Sequence, residues 1–523
     1  MLGCCSLPCL SHRYRNNFCC KAQTSQNYVN GDHKKKKKVV IVGSGWAGLG
    51  AAHHLTNQGF DVTVLDGGNG FGNPDDISIQ GFWYPYRNIF NLVNELGINP
   101  FTNWTKSALY SEEGLEVEFP IFQDLPQLPS PFGTLLYTQF FRLPLVDRLT
   151  SLPLIAAVVN FDNTDTAWKK YDSITARELF KQFGSSERLY RGVFGPLLQV
   201  GLFSPAEQCS AAASLGLIYY SILAHQKDFD VVWCRGTLRE KILEPWMDSM
   251  KTKGCEFLDR RMVTGFCFDE ETGCISEVVC GGETYESDAV IMAVGISTLQ
   301  EIIRNSAVLC TREEFLKVLN LASIDVLTIK LRLDRKVNVP HASNACSGYD
   351  DSFGCTFFDL NQIHDEHKDD TVTVLQADFY HANELLPLKD EQIVVKVVAY
   401  LSKYIKDLDS ATVMDTKIGR FPNSFTHFFP GSYKYMMRGS TSFVNVFMAG
   451  DWIVTRHGSW SQEKSYVTGL EAGNRVIDFL EEGSFAKIIP VEEDEPHIEA
   501  LRSLNRNLNE LRSQLPLSSY FLQ

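Results

Sequence analysis

The chain has 523 residues, of which 44% are hydrophobic and 21% charged, and this composition excludes a disordered or fibrous protein. The 63 Asp and Glu residues outnumber the 49 Lys and Arg residues, and the net charge of -14 predicts no nucleic-acid partner. No apolar run reaches the roughly eighteen residues that a membrane-spanning helix needs, since even Leu143–Val159 contains Asp147, Arg148 and two prolines.

The first 38 residues carry eight Lys or Arg side chains but a single acid, Asp32. A segment with Ser, Arg and Lys, few acids and no long apolar core is typical of an organelle import sequence and not of a secretory signal. We predict that residues 1–38 are a disordered, cleaved plastid transit peptide and that the protein is chloroplastic. The alternative is a disordered basic tail in which Lys34–Lys38 bind an acidic surface.

Fourteen cysteines are present, and five of them lie in this leader. The other nine are scattered between Cys209 and Cys355 without a C-x-x-C pair, whereas structural zinc needs clustered ligands. The spacing predicts reduced thiols, no metal site and no structural disulfide.

A strand, a glycine loop, a helix and a second strand follow one another after the leader. Val39–Val42 is a continuous β-branched run, which is typical of a strand buried on both faces of a parallel sheet. In the next loop Gly43 permits a tight turn, Gly45 lets the backbone approach a pyrophosphate, and Gly48 allows close helix–strand packing. Asp66 ends the second strand, where a carboxylate binds an adenosine ribose and disfavours a 2′-phosphate.

This order of elements favours a dinucleotide site over a chance G-x-G-x-x-G and leaves NAD and FAD as cofactors. The residues predicted to bind the cofactor here are Gly43, Ser44, Gly45, Trp46, Ala47, Gly48 and Asp66.

A second signal lies near the C-terminus, where an apolar run leads to Gly450 and Asp451 and a helix is predicted to follow. The sequence here resembles the second signature of FAD-dependent oxidoreductases of the amine oxidase and carotenoid desaturase superfamily. The resemblance implies that FAD is the cofactor and that Gly450 and Asp451 hold its ribityl and pyrophosphate part. It also implies that the helix, with Gln462 and Glu463 in its first turn, points its N-terminus at the flavin pyrimidine. Lys464 replaces a glycine of the family.

The middle of the chain narrows the resemblance, which covers about residues 39–480. Gly81–Ile98 is similar to the segment of phytoene and zeta-carotene desaturases in which an aromatic-rich turn leads into a helix ending in E-L-G-I. Residues 254–264 resemble the strand that receives the adenine, which makes Val263 a further predicted FAD contact.

The chain departs from these desaturases directly after Asp66. Gly68 and Pro74 stand where the family has basic residues that touch the FAD phosphates, and Gly72 is the recognisable remnant of the motif. This departure predicts weak FAD binding or a reshaped pocket, with Gly72 still counted as a cofactor contact.

The resemblance implies an α/β fold in which an α+β substrate-binding domain interrupts a Rossmann-like FAD-binding domain. The FAD-binding domain is predicted to comprise residues 39–105, 230–300 and 440–482, and the substrate-binding domain residues 106–229 and 301–439. Residues 483–523 are predicted to form a C-terminal tail helix that docks on the protein's own domain through a face containing Leu501, Leu504, Leu508 and Leu511.

No catalytic residue follows from the sequence. Family geometry places three candidates near the flavin, namely His457, Trp460 and Lys464. A histidine there can act as an acid or base, and the alternative is a surface histidine. Hydride transfer to a flavin needs no protein base where positioning and electrostatics dominate.

Three functions are compatible with the sequence. The first is a plastid FAD-dependent desaturase or isomerase of a carotenoid-like, hydrophobic isoprenoid, with a quinone as electron acceptor. The second is a flavin amine oxidase-like enzyme that acts on a small soluble substrate, and the third is a non-catalytic relative without FAD. The apolar run 211–224 is suited to the wall of a hydrophobic tunnel, although it also matches an ordinary core helix.

The segment Leu143–Val159 is the predicted site of peripheral membrane contact. Its apolar side chains would enter the membrane surface so that an insoluble polyene could be drawn into the protein. The alternative buries them in the substrate domain. The apolar residues of the segment that would enter the membrane surface are Leu145, Leu149, Leu152, Leu154 and Ile155.

Overall fold

The computed structural model describes residues 35–68, 79–220, 225–346, 354–458 and 461–514, so the predicted leader lies outside it except for its last four residues. The strands are, in chain order, β1 Lys38–Val42, β2 Asp61–Leu65, β3 Gly81–Trp83, β4 Ser107–Ser111, β5 Gly114–Phe119, β6 Gln139–Phe140, β7 Val231–Trp233, β8 Glu256–Leu258, β9 Gly265–Asp269, β10 Cys274–Cys280, β11 Glu283–Glu286, β12 Ala289–Met292, β13 Ala322–Leu333, β14 Ser343–Cys346, β15 Gly354–Asp359, β16 Val374–Tyr380, β17 Val413–His427 and β18 Val446–Met448.

The α-helices of the same residues are, in chain order, α1 Trp46–Asn57, α2 Arg87–Leu96, α3 Phe132–Tyr137, α4 Leu145–Leu149, α5 Leu152–Asn160, α6 Asp165–Tyr171, α7 Ala176–Gln182, α8 Glu187–Leu189, α9 Gly195–Gly201, α10 Ala211–Ile218, α11 Glu244–Lys251, α12 Ile296–Asn305, α13 Glu313–Val318, α14 Leu360–Ile363, α15 Asp390–Leu401, α16 Gln462–Leu480 and α17 Pro496–Gln514.

A parallel sheet of five strands, in the order β18-β12-β1-β2-β8, forms the Rossmann-like part of the fold. Its central strand β1 is buried on both faces, because Val39 and Ile41 pack in one core with α1 and α16 while Val40 and Val42 pack in another with α12. The carboxyl ends of β1, β2, β12 and β18 meet at one edge of this sheet. Parallel sheets of this kind bind ligands at that edge.

A second sheet has eight strands in the order β17-β13-β16-β15-β14-β4-β5-β6, and only the β14–β4 pair is parallel. Strand β13 pairs with β16 on one side and with β17 on the other, so that Val326 of β13 lies opposite Tyr380 of β16 and Phe421 of β17. Helix α15 packs with one face of this sheet in a separate apolar core. A three-stranded sheet, β11-β10-β9, and the β3–β7 pair complete the sheets.

The parallel sheet and the mixed sheet with its helices confirm the predicted α/β fold class. The strands of the parallel sheet come from three separate stretches of the chain. The sequence boundaries of a cofactor domain and a substrate domain remain a prediction.

The segment Leu143–Val159 forms α4 and α5, and its leucines are divided between surface and core. Leu145, Leu149 and Leu152 are 68%, 51% and 53% exposed, whereas Leu154 is buried and Ile155 is half-buried. Phe132 and Leu136 of α3 are also exposed. Neither interpretation of the segment holds for all five residues, because Leu154 belongs to the helical core and the other leucines do not.

The C-terminal helix α17 packs on its own protein, but two leucines of the face predicted to dock do not take part. Leu501 and Leu504 are exposed, which contradicts the prediction for them, and the side chains of Leu508 and Leu511 lie outside the described residues. The helix is anchored by the buried residues Ile498 and Arg502, and the Arg502 Nε donates to the carbonyl oxygen of Val159 at 2.8 Å. A buried arginine has no place in an apolar repeat, so the leucine spacing does not indicate this anchor.

Candidate active site

The loop between β1 and α1 has a shape that requires glycine at two positions. Gly43 has a φ of +104°, and a Cβ there would lie 2.3 Å from the carbonyl oxygen of Ala293. A Cβ at Gly48 would lie 1.9 Å from the carbonyl oxygen of Gly43. At Gly45 no described atom lies within 4 Å of the Cβ position. The loop is therefore tightly closed around an open space at the start of α1.

The first turn of α1 presents backbone N–H groups at that open space. Within the described residues no side chain caps this helix, and its first turn contains no acid. An anion at such a helix end gains hydrogen bonds and a favourable interaction with the helix dipole. The indole of Trp46 lies in the core, with ring centroids 5.7 Å from Trp246 and 5.9 Å from Phe82. Only the backbone of Trp46 is therefore available to a phosphate.

Asp66 organises the loop from the end of β2. Its carboxylate accepts hydrogen bonds from the backbone N–H of Ser44 at 3.2 Å and of Gly68 at 2.7 Å, and from the Ser44 hydroxyl. These bonds fix the carboxylate beside the glycine loop, at the position where a ribose carboxylate is required.

The segment before β9 runs alongside Asp66. The backbone N–H of Arg261 donates to the carbonyl oxygen of Asp66 at 2.7 Å, and Val263 is buried in the core that contains Leu65. The structure thus brings Val263 next to the strand that carries the acid. Gly72 lies outside the described residues.

Gly450 and Asp451 follow β18 at the same edge of the sheet. Gly450 has a φ of +142°, and its N–H donates to the Thr468 hydroxyl of α16 at 2.9 Å. The Asp451 carboxylate accepts a hydrogen bond from the Thr426 hydroxyl of β17 at 3.0 Å, and burial raises the pKa of Asp451 even though Lys464 opposes the shift. Asp451 therefore connects the parallel sheet to the eight-stranded sheet.

The first turn of α16 carries two side chains with different surroundings. Glu463 is buried and accepts hydrogen bonds from the Asn88 N–H at 2.8 Å, the Asn88 side chain at 2.7 Å and the Ile89 N–H at 3.0 Å. Burial raises the pKa of Glu463 to about 7. Gln462 donates to the Gln80 side chain at 2.6 Å, and its own Oε1 is buried without a partner among the described residues.

Of the three catalytic candidates, His457 and Lys464 lie within the structure and Trp460 lies outside the described residues. The Lys464 Nζ is buried and donates to the carbonyl oxygen of Gly458 at 3.1 Å, and burial lowers the Lys464 pKa to about 8. His457 is half-buried, and neither ring nitrogen reaches solvent or a hydrogen-bond partner in the described part of the chain. Burial, with the nearby Lys464 charge, lowers the His457 pKa to about 4, so this imidazole is neutral at pH 7.

A cavity of about 230 Å³, here called the inner cavity, opens beside these residues. His457, Gly458, Ser461 and Gln462 line it from the α16 side. Its other walls are mainly apolar and aromatic and include Trp83, Phe119, Leu197, Phe203, Leu217, Phe229, Trp233, Phe358, Tyr380 and Phe425. Leu217 and Tyr220 of the predicted tunnel wall are in contact with this space, whereas Ala211–Leu215 are core residues.

Several polar groups of the inner cavity were not predicted from the sequence, among them Gln80, Tyr86 and Asp228. Burial raises the pKa of Asp228, whose carboxylate lies 3.1 Å from the Nδ1 atom of His225. An acid just before the buried strand β7 is the signal that could have found it. That signal is weak, because Asp230 also lies just before β7 and its carboxylate accepts hydrogen bonds from the backbone N–H groups of Phe122 and Gln123.

A second space of about 370 Å³, here called the outer cavity, continues toward the surface. It shares four wall residues with the inner cavity, which are Leu109, Phe119, Leu197 and Phe229. Its outer rim is formed by the exposed side chains of Phe132, Leu136, Leu145, Leu149 and Leu152. The apolar surface patch and the inner cavity, which reaches His457 and Gln462, therefore lie on either side of these four shared side chains.

A flavin dinucleotide fits the residues present. The open space at Gly45 lies where a pyrophosphate would meet the uncapped N-terminus of α1, and Asp66 stands where the ribose would bind. Near the inner cavity the buried Gln462 Oε1 and the His457 ring nitrogens lack partners among the residues described. The fold and the site thus define a Rossmann-type protein that binds a dinucleotide cofactor beside an apolar cavity.

Comparison with known proteins identifies the class. Residues 77–477 match the family model for flavin containing amine oxidoreductase, and residues 41–96 match that for the NAD(P)-binding Rossmann-like domain. The chain belongs to the flavin-containing amine oxidoreductase family. It is an FAD-dependent oxidoreductase, as the sequence analysis predicted.

Sequence relatives include two carotenoid enzymes. A probable zeta-carotene desaturase from Synechococcus elongatus is 22% identical over 482 residues, covering 84% of this chain and 98% of that protein. The 15-cis-phytoene desaturase (chloroplastic/chromoplastic) of Arabidopsis thaliana is 22% identical over 496 residues, covering 89% and 84% of the two chains. These matches confirm the predicted superfamily.

Among solved structures, cyclohexylamine oxidase from Brevibacterium oxydans has a TM-score of 0.65 at 14% identity. The match covers 86% of this chain and 100% of the oxidase. It supports the fold.

In the described part of the chain, no helix is both long and apolar enough to cross a bilayer.

Proposed function

We propose that the protein is a plastid enzyme that either desaturates a hydrophobic, carotenoid-like isoprenoid, with a quinone as electron acceptor, or isomerises it without net electron transfer. The observation that carries this proposal is that the apolar inner cavity at His457 and Gln462 shares four wall residues with the outer cavity, whose rim is exposed. In this proposal the two cavities join into one apolar route, which a long polyene needs because it is nearly insoluble in water. The desaturases among the sequence relatives support the same substrate class.

In this proposal FAD is held at the carboxyl edge of the parallel sheet and supplies a two-electron acceptor for a hydride from a substrate carbon. Its proposed contacts are Gly43, Ser44, Gly45, Trp46, Ala47, Gly48, Asp66, Gly72, Val263, Gly450, Asp451, Gln462 and Glu463.

The chain's own residues would bind the polyene and exclude water from it. The aromatic walls of the inner cavity remove solvent from the reacting carbons, which favours hydride transfer over side reactions. His457 and Asp228 are the two residues we propose to move or hold a proton, His457 at its ring nitrogens and Asp228 at its carboxyl group. The Lys464 ammonium donates a hydrogen bond to the Gly458 carbonyl, and Lys464 is not among the described residues that line the inner cavity. Lys464 therefore gives no support to the amine-oxidase alternative.

Peripheral membrane contact is tested at the rim of the outer cavity. We expect Leu149→Asp/Leu152→Asp to lose most of its sedimentation with liposomes while its flavin absorbance and melting temperature stay normal, because both side chains are exposed. The matched control is Leu501→Asp/Leu504→Asp, which changes two equally exposed leucines on α17. Equal sedimentation of both variants and the wild type would contradict membrane entry at this patch.

The substrate class is tested at the junction of the two cavities. Leu197→Trp fills the space that both cavities share, so we expect it to slow anaerobic flavin reduction by a liposome-borne polyene at least tenfold. Flavin reduction by small amines, and none by polyenes in the wild type, would establish the oxidase alternative. An absorbance spectrum of the purified protein without oxidised flavin would instead support the non-catalytic alternative.

Plastid import is tested separately. A fluorescent protein fused behind residues 1–45 should enter chloroplasts and lose roughly the first 30 to 40 residues. Retention of the intact fusion in the cytosol would contradict the transit peptide and favour the basic-tail alternative.

A further inference from the structure

Outside the inner cavity, three potential metal ligands converge in the segment that follows α14. His364, Glu366 and His367 each place a ligand atom within 4.8 Å of the others. The Glu366 Oε1 lies 3.0 Å from the His367 Nε2 and 3.8 Å from the His364 Nδ1. One carboxylate oxygen is thus shared by two imidazole rings.

The two nitrogens that face this carboxylate are not aligned for a hydrogen bond to it, although the His367 Nε2 is only 3.0 Å away. His364 is 5% exposed, and its Nδ1 is buried without a partner among the described residues, as is the Nε2 of His367. A buried imidazole nitrogen without a partner lowers stability, so such groups need an explanation. A cation bound by both imidazoles and by the Glu366 carboxylate would explain why two such nitrogens face one carboxylate.

We propose that His364, Glu366 and His367 form a site for a divalent transition-metal ion of the zinc class, with water completing the coordination. Zinc bound to nitrogen and oxygen at about 2.0–2.2 Å in a tetrahedron separates its ligands by about 3.4 Å. The observed separations of 3.0 and 3.8 Å lie on either side of that value. The scattered cysteines predicted no metal site, and the ligands proposed here include no cysteine.

The surroundings of His367 match those of a metal-bound histidine. Its Nδ1 lies 3.1 Å from the Asp370 Oδ2, and Asp370 also pairs with Arg332 at 3.1 Å. A carboxylate on the far ring nitrogen orients the imidazole and increases its basicity toward the metal. The carbonyl oxygen of His367 accepts a hydrogen bond from Asn361 at 2.7 Å, which fixes the backbone as well.

Lys330 of β13 competes for the same carboxylate. Its Nζ lies 3.4 Å from the Glu366 Oε1, and its side chain is 31% exposed. Because this lysine reaches solvent, its ammonium can move away when a cation binds Glu366. Metal affinity should therefore increase when the lysine is removed.

The site lies where it can stabilise one wall of the inner cavity. Asp365, between the ligands, accepts hydrogen bonds from the Arg235 guanidinium at 2.9 and 3.0 Å and donates its N–H to the Arg235 carbonyl. Arg235 follows β7, whose Trp233 packs against Phe358 in the cavity wall with ring centroids 5.1 Å apart. The metal would attach this segment to β7 and hold the wall in place.

The test is a calorimetric zinc titration of the full-length protein, with metal content measured after dialysis. We expect the double variant His364→Gln/His367→Gln to bind one zinc ion fewer per chain than the wild type. Zinc binding by cysteines elsewhere cancels in this comparison, because both proteins contain the same cysteines. Asp370→Asn should weaken this site about 10- to 100-fold. Lys330→Met should strengthen it at least threefold, and magnesium should not compete.

The matched control is His341→Gln. His341 also lies between a carboxylate and a second group, 3.0 Å from Glu118 and 3.1 Å from the Tyr110 hydroxyl, so both its nitrogens have partners. It should bind as much zinc as the wild type. Equal zinc content in the double variant and the wild type, or unchanged affinity in both Asp370→Asn and Lys330→Met, would overturn the proposal. The result does not depend on FAD or on any substrate.

Discussion

Asn88 and Glu463 join α2 to α16 through two hydrogen bonds to a single carboxylate oxygen, 2.8 Å from the Asn88 N–H and 2.7 Å from its side-chain amide. The same amide donates to the carbonyl of Ile489 at 2.9 Å and accepts from its N–H at 2.8 Å. One asparagine thus holds together the helix at the cofactor edge, the helix of the E-L-G-I segment and the chain that leads to α17.

This arrangement predicts a pH-dependent stability. Because burial raises the Glu463 pKa from 4.5 to about 7, its contribution to the unfolding free energy is full below pH 4.5 and is lost as the pH rises through 7. The loss amounts to about 3 kcal/mol at most. Glu463→Gln, which keeps an acceptor oxygen, should reduce the difference in unfolding free energy between pH 5 and pH 8. Urea unfolding at both values measures it, with the exposed Glu499→Gln as control, and an unchanged difference would contradict the prediction.

The glycine loop predicts that substitutions at Gly45 and Gly48 act in different ways. A side chain at Gly45 enters open space, so Gly45→Val should lose flavin absorbance while the cofactor-free protein keeps its melting temperature. A Cβ at Gly48 collides with the Gly43 carbonyl, so Gly48→Ala should lower the unfolding free energy by about 1–3 kcal/mol even without cofactor.

Gly192→Val is the control for this pair, because Gly192 also has no described atom within 4 Å of its Cβ position and lies far along the chain from the loop. It should keep both the flavin and the melting temperature. Normal flavin content in Gly45→Val would contradict the assignment of the pyrophosphate position.

The parallel sheet could be predicted from the sequence because its signals are local. β-Branched strands, the glycine spacing and Asp66 lie within one short stretch, and the structure brings Gly43, Ser44 and Asp66 together as the pattern requires. The C-terminal pair Gly450 and Asp451 reaches the same edge because β18 is parallel to β12.

The cavity could not be predicted, because its walls come from segments that are distant in sequence. Asp228 and Gln80 have no local motif, and whether Leu149 or Leu154 faces solvent depends on how α5 packs in the helical core. The anchor of α17 at Arg502 could not be predicted either, since a buried arginine on a carbonyl group gives no periodic signal.

His457 leads to a prediction that separates function from stability. Both ring nitrogens are buried without partners among the described residues, and each such group costs about 1–3 kcal/mol. His457→Phe should therefore raise the melting temperature of the cofactor-free protein while it lowers turnover of a polyene at least tenfold. His427→Phe serves as a comparison, since the His427 Nε2 already has a partner in the Gln208 carbonyl at 3.1 Å. A destabilised His457→Phe would show that the imidazole is bonded within the apo fold.

The last prediction concerns the anchor of α17 beneath the outer cavity. Arg502 and Asp494 are both 10% exposed and lie 2.6 Å apart, and Arg502 also binds the carbonyl of Val159, which follows the cavity residue Val158. Removing one partner of a buried ion pair leaves the other charge uncompensated, which costs about 3–5 kcal/mol. Arg502→Met should therefore lower the unfolding free energy by about this amount.

Adding Asp494→Asn to Arg502→Met should restore part of the loss, because the uncompensated carboxylate is then gone and the Tyr219 hydroxyl keeps an acceptor in the asparagine oxygen. The control is Arg506→Met, on the exposed side of the same helix, which should change stability by less than about 0.5 kcal/mol. Hydrogen exchange at α5 supplies the second measurement: the Phe161 N–H, bonded to the Ala157 carbonyl at 3.0 Å, should exchange faster in Arg502→Met than in the control. Equal exchange in both variants would mean that α17 is only attached to this wall and does not hold it, so that the shape of the outer cavity is determined by the helical core alone.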